Sequence, residues 1–222
     1  MRKIVVFVLC LVMLVCCTAC TVEDADVAYP DDSGLYLTLV NKDHVLPEGW
    51  YDMITLMDVK NCYKEDFSVE KETYSHFVQL LDDLSTEDVY IEIDSACRTV
   101  DEQMALWERF EKEYGEDYCE KYLAEPGYSE HHTGLAIDIF LIKDGEDIRD
   151  NDAMLAETEL FAKVHERLAD YGFILRYPEG KEDITGYAYE PWHIRYVGKE
   201  AAKEMYEQNL TLEEYYNMIY DE

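Results

Sequence analysis

Two short segments in the second half of the chain carry side chains that make sense only together, so any fold of this sequence must bring them to one point. The first is Ser129-Glu-His131-His-Thr-Gly134-Leu-Ala136-Ile-Asp138, and the second is Glu190-Pro-Trp-His193. Between them they offer two imidazoles, one ligating carboxylate and one spare carboxylate. That is the inventory of a hydrolytic zinc centre: three protein ligands, an open fourth position for water and a general base beside it. His131, Asp138 and His193 are the candidate ligands, and Glu190 is the candidate base. Either segment alone would favour satisfied core histidines with surface acids, because the chain holds 50 Asp and Glu residues. The combination is the specific signal.

The local patterns say how these residues are carried. Leu35 to Val40 reads as a short opening strand. Tyr74, Phe77, Val78 and Leu81 recur at i, i+3, i+4 and i+7, the signature of a helix with one apolar face. Val89, Ile91 and Ile93 alternate with polar residues, predicting a half-buried strand that ends at Ser95. Thr99-Val-Asp-Glu102 is a capping box that starts a helix through about Tyr114, so Arg98 falls in a strand-to-helix junction and Gln103 one turn further on. Leu135, Ile137, Ile139 and Leu141 share one strand face. Asp138 lies on the other, where a carboxylate needs a partner that a metal would supply. A helix is expected from about Leu155 to Tyr171, ended by Gly172, then a strand from Phe173 to Tyr177 and a polar loop over 178–188. Pro191 pushes Glu190 toward extended backbone, which excludes a single helix presenting both the glutamate and its histidine. In an ideal strand Glu190 and His193 would face opposite sides, so a bend at Pro191 is required. Two closing helices follow, the second with a capping box at Thr211-Leu-Glu-Glu214.

The N-terminus belongs to a different category. Arg2 and Lys3, an apolar run from Ile4 to Val15, and Cys17-Thr-Ala-Cys20 read as a secretory signal, too short to span a bilayer comfortably. The expected organisation is a lipoprotein-type signal peptide over residues 1–19, with Cys20 as the lipidation point. An acidic linker over 20–34 and one catalytic domain over 35–222 follow. An uncleaved N-terminal anchor is the alternative; both place the domain outside the cytoplasmic membrane. Cys62, Cys97 and Cys119 then remain, allowing at most one disulfide and no Cys-x-x-Cys metal site. Cys97 beside Arg98 reads as a small buried residue rather than a nucleophile. The net charge of −31 excludes a nucleic-acid surface, which needs basic patches. It also makes each of the seven arginines conspicuous: one embedded in a motif should have a specific anionic partner. A monomer is expected.

The pattern Ser-x-His-x-x-Gly-x-Ala-x-Asp, followed by Glu-Pro-Trp-His-x-Arg-Tyr-Val-Gly, resembles the VanY-type zinc D-alanyl-D-alanine carboxypeptidases. Ser95-Ala-Cys-Arg98-Thr-Val-Asp-Glu-Gln103 is similar to that family's Ser-Gly-Tyr-Arg-Ser-x-x-x-Gln stretch, and Leu39 to Pro47 to its lead-in. The resemblance covers roughly residues 35 to 208, in order. It implies an α+β fold, helices packed on a small, mostly antiparallel sheet carrying the zinc site (DD-peptidase/hedgehog-like). It also implies one Zn2+ per chain and a peptidoglycan stem peptide ending in D-Ala as substrate. On the same basis Arg98 faces the substrate, Ser129 binds its terminal carboxylate and Gln103 assists. His131 occupies the ligand position, and His132, where many members carry glutamine, does not. The family also includes L,D-carboxypeptidases acting on tetrapeptide stems, which the catalytic residues do not separate. A catalytically inactive wall-binding lipoprotein would lack Glu190 or a ligand, and all four groups are present.

Overall fold

A computed structural model describes residues 32–86 and 89–220; the signal peptide, Cys20 and most of the linker lie outside them. The chain opens with helices α1 (Asp32–Tyr36) and α2 (Trp50–Met53) and a hairpin of β1 (Leu56–Lys60) and β2 (Asp66–Glu70). Helix α3 (Lys71–Ser85), strand β3 (Tyr90–Ser95) and helices α4 (Val100–Tyr114) and α5 (Glu116–Tyr122) follow. Next come β4 (Ala136–Lys143), β5 (Glu146–Ile148), α6 (Asn151–Ala156), α7 (Thr158–Leu168) and β6 (Phe173–Leu175). The chain ends with α8 (Glu182–Thr185), β7 (His193–Tyr196), α9 (Lys199–Gln208) and α10 (Leu212–Tyr220).

β3, β4, β7 and β6 form one sheet in that order, with β5 paired to β4 and every pairing antiparallel. The α+β expectation is met. Helices α3 and α7 pack on this sheet, and Phe77, Leu80, Ile139, Phe161, Val164 and Ile194 are all buried within that core. A second apolar cluster holds the N-terminal segment against α9 and α10 through Leu37, Leu39, Val197, Ala202, Met205 and Leu212.

Three local expectations need correction. Residues 35–40 are not a strand. Leu37 N–H bonds Gly34 O and Thr38 N–H bonds Leu35 O, as in a helical turn. The carbonyls of Tyr36 and Thr38 accept from the buried Arg195 guanidinium instead of a strand partner. The buried stripe of α3 is Thr73, Phe77, Leu80 and Leu84, while Val78 is exposed. That stripe is an equally regular helical row, rotated slightly from the expected one. The helix expected over 155–171 is broken at Glu157, starts earlier at Asn151 and finishes in a 3-10 turn over Ala169–Tyr171 before Gly172.

The capping boxes hold. Thr99 Oγ1 accepts from Glu102 N–H at 3.2 Å while Glu102 Oε2 accepts from Thr99 N–H at 2.8 Å. Thr211 and Glu214 make the same exchange. Thr99 therefore starts α4 directly after Arg98, and the irregular register of β3 between Ile93 and Ser95 bends the chain just before it.

Candidate active site

Strand register brings the first two groups together. Asp138 on β4 is the direct cross-strand partner of His193 on β7, and also of Ser95 on β3. Directly opposed residues of antiparallel strands put their side chains on the same face. Asp138 Oδ1 lies 2.9 Å from His193 Nδ1.

The third group comes from a 3-10 turn over Glu130–Thr133, capped by Ser129, whose Oγ accepts from His131 N–H at 3.3 Å. Gly134 closes this turn at φ 72°, where an added Cβ would meet Leu56 Cδ2 at 2.7 Å. The reversal needs glycine both for its left-handed backbone and for this close approach. It sets His131 Nε2 3.1 Å from Asp138 Oδ2. One donor atom from each of His131, Asp138 and His193 lies within 4.8 Å of the others.

The hydrogen bonds decide which nitrogens are available. His131 Nδ1 lies 2.7 Å from Ala96 O; a carbonyl only accepts, so the proton sits on Nδ1 and the Nε2 lone pair faces the site. His132 spends both nitrogens elsewhere. Its Nδ1 donates to Arg98 O at 2.6 Å and its Nε2 accepts from Gly127 N–H at 3.0 Å. The neighbour that could have competed for the metal is thus a structural strut.

Glu190 reaches the cluster through a turn rather than a strand. His193 N–H bonds Glu190 O at 3.2 Å across Pro191 and Trp192. This is the bend that the alternation rule required, and it leaves Glu190 Oε2 3.9 Å from His193 Nδ1. Burial pushes the Glu190 carboxyl up to about 8, with Asp138 adding to the shift and His193 and Arg98 opposing it. Burial would lower His193, but Asp138, Glu130 and Glu190 outweigh it and hold the imidazole at about 9. For Asp138, burial is outweighed by the two imidazoles, and its carboxyl lies well below the usual range. Asp138 Oδ1 is a buried oxygen without a hydrogen bond, although His193 Nδ1 stands 2.9 Å away. Such an oxygen inside a converging N, O and N set fits a bound cation.

Arg98, Gln103, Ser129, His131, Asp138, Glu190 and His193 all line one cleft of about 190 Å³. Arg98 donates to Gln103 Oε1 at 2.6 Å and to Ser95 Oγ at 2.9 Å, so Gln103 holds Arg98 in place. Gln103 is itself anchored by donating to Ala124 O. Tyr177 and Tyr187 also line it, Tyr187 following just after the short helix α8. Trp192 also lines the cleft, whereas Tyr196 belongs to the core. Cys97 is partly buried, with its thiol pushed up to about 11 by burial, and is no nucleophile. Cys62, Cys97 and Cys119 are all free thiols.

Sequence reasoning missed the layer behind the candidate ligands. Glu130, Arg176 and Arg195 have fully buried side chains; Glu130 Oε1 accepts from Arg176 Nε and Arg195 Nη1, each at 2.7 Å. Arg176 also pairs with Glu213 on α10 at 2.9 and 2.5 Å. Two arginines and two glutamates balance, which makes such burial tolerable. The available clue was Arg195 inside a motif of an arginine-poor, acidic chain.

Residues 66–199 match the VanY family, described as D-alanyl-D-alanine carboxypeptidase. A D-alanyl-D-alanine carboxypeptidase of Enterococcus faecalis is 34% identical over 196 residues, covering 84% of this chain and 68% of the relative. Among solved structures, a variant of the vancomycin-resistance D,D-pentapeptidase VanY from a VanB-type cassette, in complex with Zn(II), superposes with a TM-score of 0.71 at 32% identity. That match covers 82% of this chain and 99% of the other. The LD-carboxypeptidase LdcB superposes with a TM-score of 0.70 at 36% identity, covering 82% and 86%.

Proposed function

The chain belongs to the VanY D-alanyl-D-alanine carboxypeptidase family, and we propose that it is a zinc carboxypeptidase removing the C-terminal D-alanine from peptidoglycan stem peptides. The observation that carries this reading is the meeting of His131 Nε2, Asp138 and His193 Nδ1 beside the half-buried carboxylate of Glu190. Held by those three residues, zinc would supply a Lewis acid. Glu190 takes the proton of the attacking water and returns it to the leaving amine, a task suited to a carboxyl whose affinity for protons burial has raised. Arg98, fixed by Gln103 and Ser95, presents a planar guanidinium to the negative charge that develops on the scissile carbonyl. Ser129 accepts from His131 N–H, and its own hydroxyl proton is available to the substrate's terminal carboxylate.

A second reading, an L,D-carboxypeptidase trimming tetrapeptide stems, is favoured by the similarity to LdcB, which is as close in fold as that to the D,D-pentapeptidase. Mass spectrometry of penta-, tetra- and tripeptide stems incubated with the zinc-loaded protein tests both. Loss of one alanine from the pentapeptide supports the D,D reading; cleavage of the tetrapeptide alone supports the L,D reading. The sequence Cys17-Thr-Ala-Cys20 after an apolar run supports anchoring outside the cytoplasmic membrane through a lipid on Cys20, facing the wall. Cys20→Ser should move the protein from the membrane fraction to the medium or leave it unprocessed; unchanged, processed membrane protein would count against lipidation.

A further inference from the structure

Behind His193 stands a carboxylate to which neither the sequence motifs nor the reaction assigns a role. Glu130 Oε1 is saturated by two arginines, while Oε2 makes no hydrogen bond and lies 3.6 Å from His193 Nε2. His193 Nε2 is equally buried and equally unpaired. The other ring nitrogen, Nδ1, is the one that faces Asp138. We propose that Glu130 is a positioning residue for the metal centre. Its Oε2 is the acceptor for the His193 Nε2–H, fixing the tautomer that leaves the Nδ1 lone pair for zinc.

The chemistry is directional. An imidazole bound to a metal through one nitrogen carries its proton on the other, and a carboxylate partner there sets the ring's orientation and raises its basicity. The two histidines are served differently. His131 has only the neutral carbonyl of Ala96 behind it, whereas His193 has a carboxylate. Arg176 and Arg195 keep that carboxylate charged and stationary by clamping its other oxygen, and Glu213 and Asn41 hold Arg176 and Glu213 in turn. Glu130 is thus fixed by bonds that do not involve the metal.

The inference rests on His193 being a ligand, and its test keeps the two apart. In Glu130→Gln the amide oxygen must face the arginine donors, which turns the amide N–H2 toward His193 Nε2. A donor there favours the tautomer with its proton on Nδ1, where zinc should bind. Zinc affinity of the full chain, measured by competition with a chelator and referred to the folded fraction, should fall about 10- to 100-fold. Glu213→Gln removes a carboxylate from the same arginine cluster without touching His193, and should keep wild-type zinc affinity however much stability it loses. Should Glu130→Gln fail to fold, Glu130→Asp keeps the charge, and its shorter reach should still weaken zinc. In the zinc-loaded wild type, the His193 Nε2–H proton resonance should be strongly downfield, and either Glu130 variant should shift it upfield. Unchanged zinc affinity in the folded Glu130 variant, or an equal loss in Glu213→Gln, would overturn the proposal. Wild-type affinity in His193→Ala would instead overturn the metal-centre reading itself.

Discussion

Asp138 and His193 are directly opposed residues of adjacent antiparallel strands, and their facing atoms, Oδ1 and Nδ1, stand 2.9 Å apart. Two of the proposed ligands are therefore fixed by the sheet, while His131 is fixed by a short turn locked at Gly134. Sites built on strands are held more precisely than sites on loops. The rigid half of the centre thus survives changes in the surrounding loops.

The ligand assignment predicts metal content. The purified protein should carry about one zinc per chain, as three converging ligands define one centre. His131→Ala, Asp138→Ala and His193→Ala should each lose most of it. His132→Ala should keep zinc but lose about 1–3 kcal/mol of stability, since Gly127 N–H and Arg98 C=O would each lose a partner. Elemental analysis and thermal melts read the two effects separately. Full zinc in His131→Ala would refute the assignment.

The proposed base is distinguished from the proposed ligands by chemistry. Glu190→Gln is nearly isosteric and should retain zinc while kcat falls by about a hundredfold or more, the scale of general-base catalysis. Turnover at the wild-type rate would transfer that role to another group.

The same carboxyl makes the metal-free protein sensitive to pH. Its folded pKa of about 8 exceeds the ordinary 4.5, so between those values the folded state holds a proton that the unfolded state releases. Stability from this group is complete below about 4.5 and is lost as pH rises toward 8, by at most about 1.4 kcal/mol per pH unit. His193, raised from 6.5 to about 9, adds a loss in the same direction at higher pH. Asp138 and Glu130, both held low, act only in acid, where their contributions are lost as pH falls. Melting temperatures of the metal-free protein should therefore drop from pH 5 to 9, and less steeply in Glu190→Gln. Equal slopes would show that Glu190 is not protonated in the folded state.

Much of this site was legible because its residues obey short-range rules. The alternation of Leu135, Ile137 and Ile139 placed Asp138 on the opposite strand face, and the Thr99–Glu102 capping box located Arg98 at the mouth of a helix. What was not legible depends on partners distant in sequence. Residues 35–40 gave no sign that Arg195 would take their carbonyls, and nothing in Glu130 announced two arginines 46 and 65 positions away. The Pro191 bend was required by alternation, but its form, a turn closed by His193 N–H on Glu190 O, comes from packing.

Recognition of the substrate end, proposed for Ser129, and stabilisation of the developing charge, proposed for Arg98, separate in the kinetics. A carboxypeptidase has to tell a free terminal carboxylate from a continuing chain, and in so acidic a protein local donors must do it. Ser129→Ala should mainly raise KM, because its contact is the same in ground and transition states. Arg98→Ala should lower kcat by about a hundredfold, as expected for losing one donor to a developing oxyanion. Gln103→Ala acts through Arg98, whose Nη1 it holds at 2.6 Å, and should cost kcat about tenfold without changing zinc content. Amidating the terminal D-alanine should weaken the wild type far more than it weakens Ser129→Ala. Steady-state kinetics on the free and amidated peptides checks all four. Equal cleavage of both peptides by the wild type would make the enzyme an endopeptidase, and Ser129 would then have no carboxylate to bind.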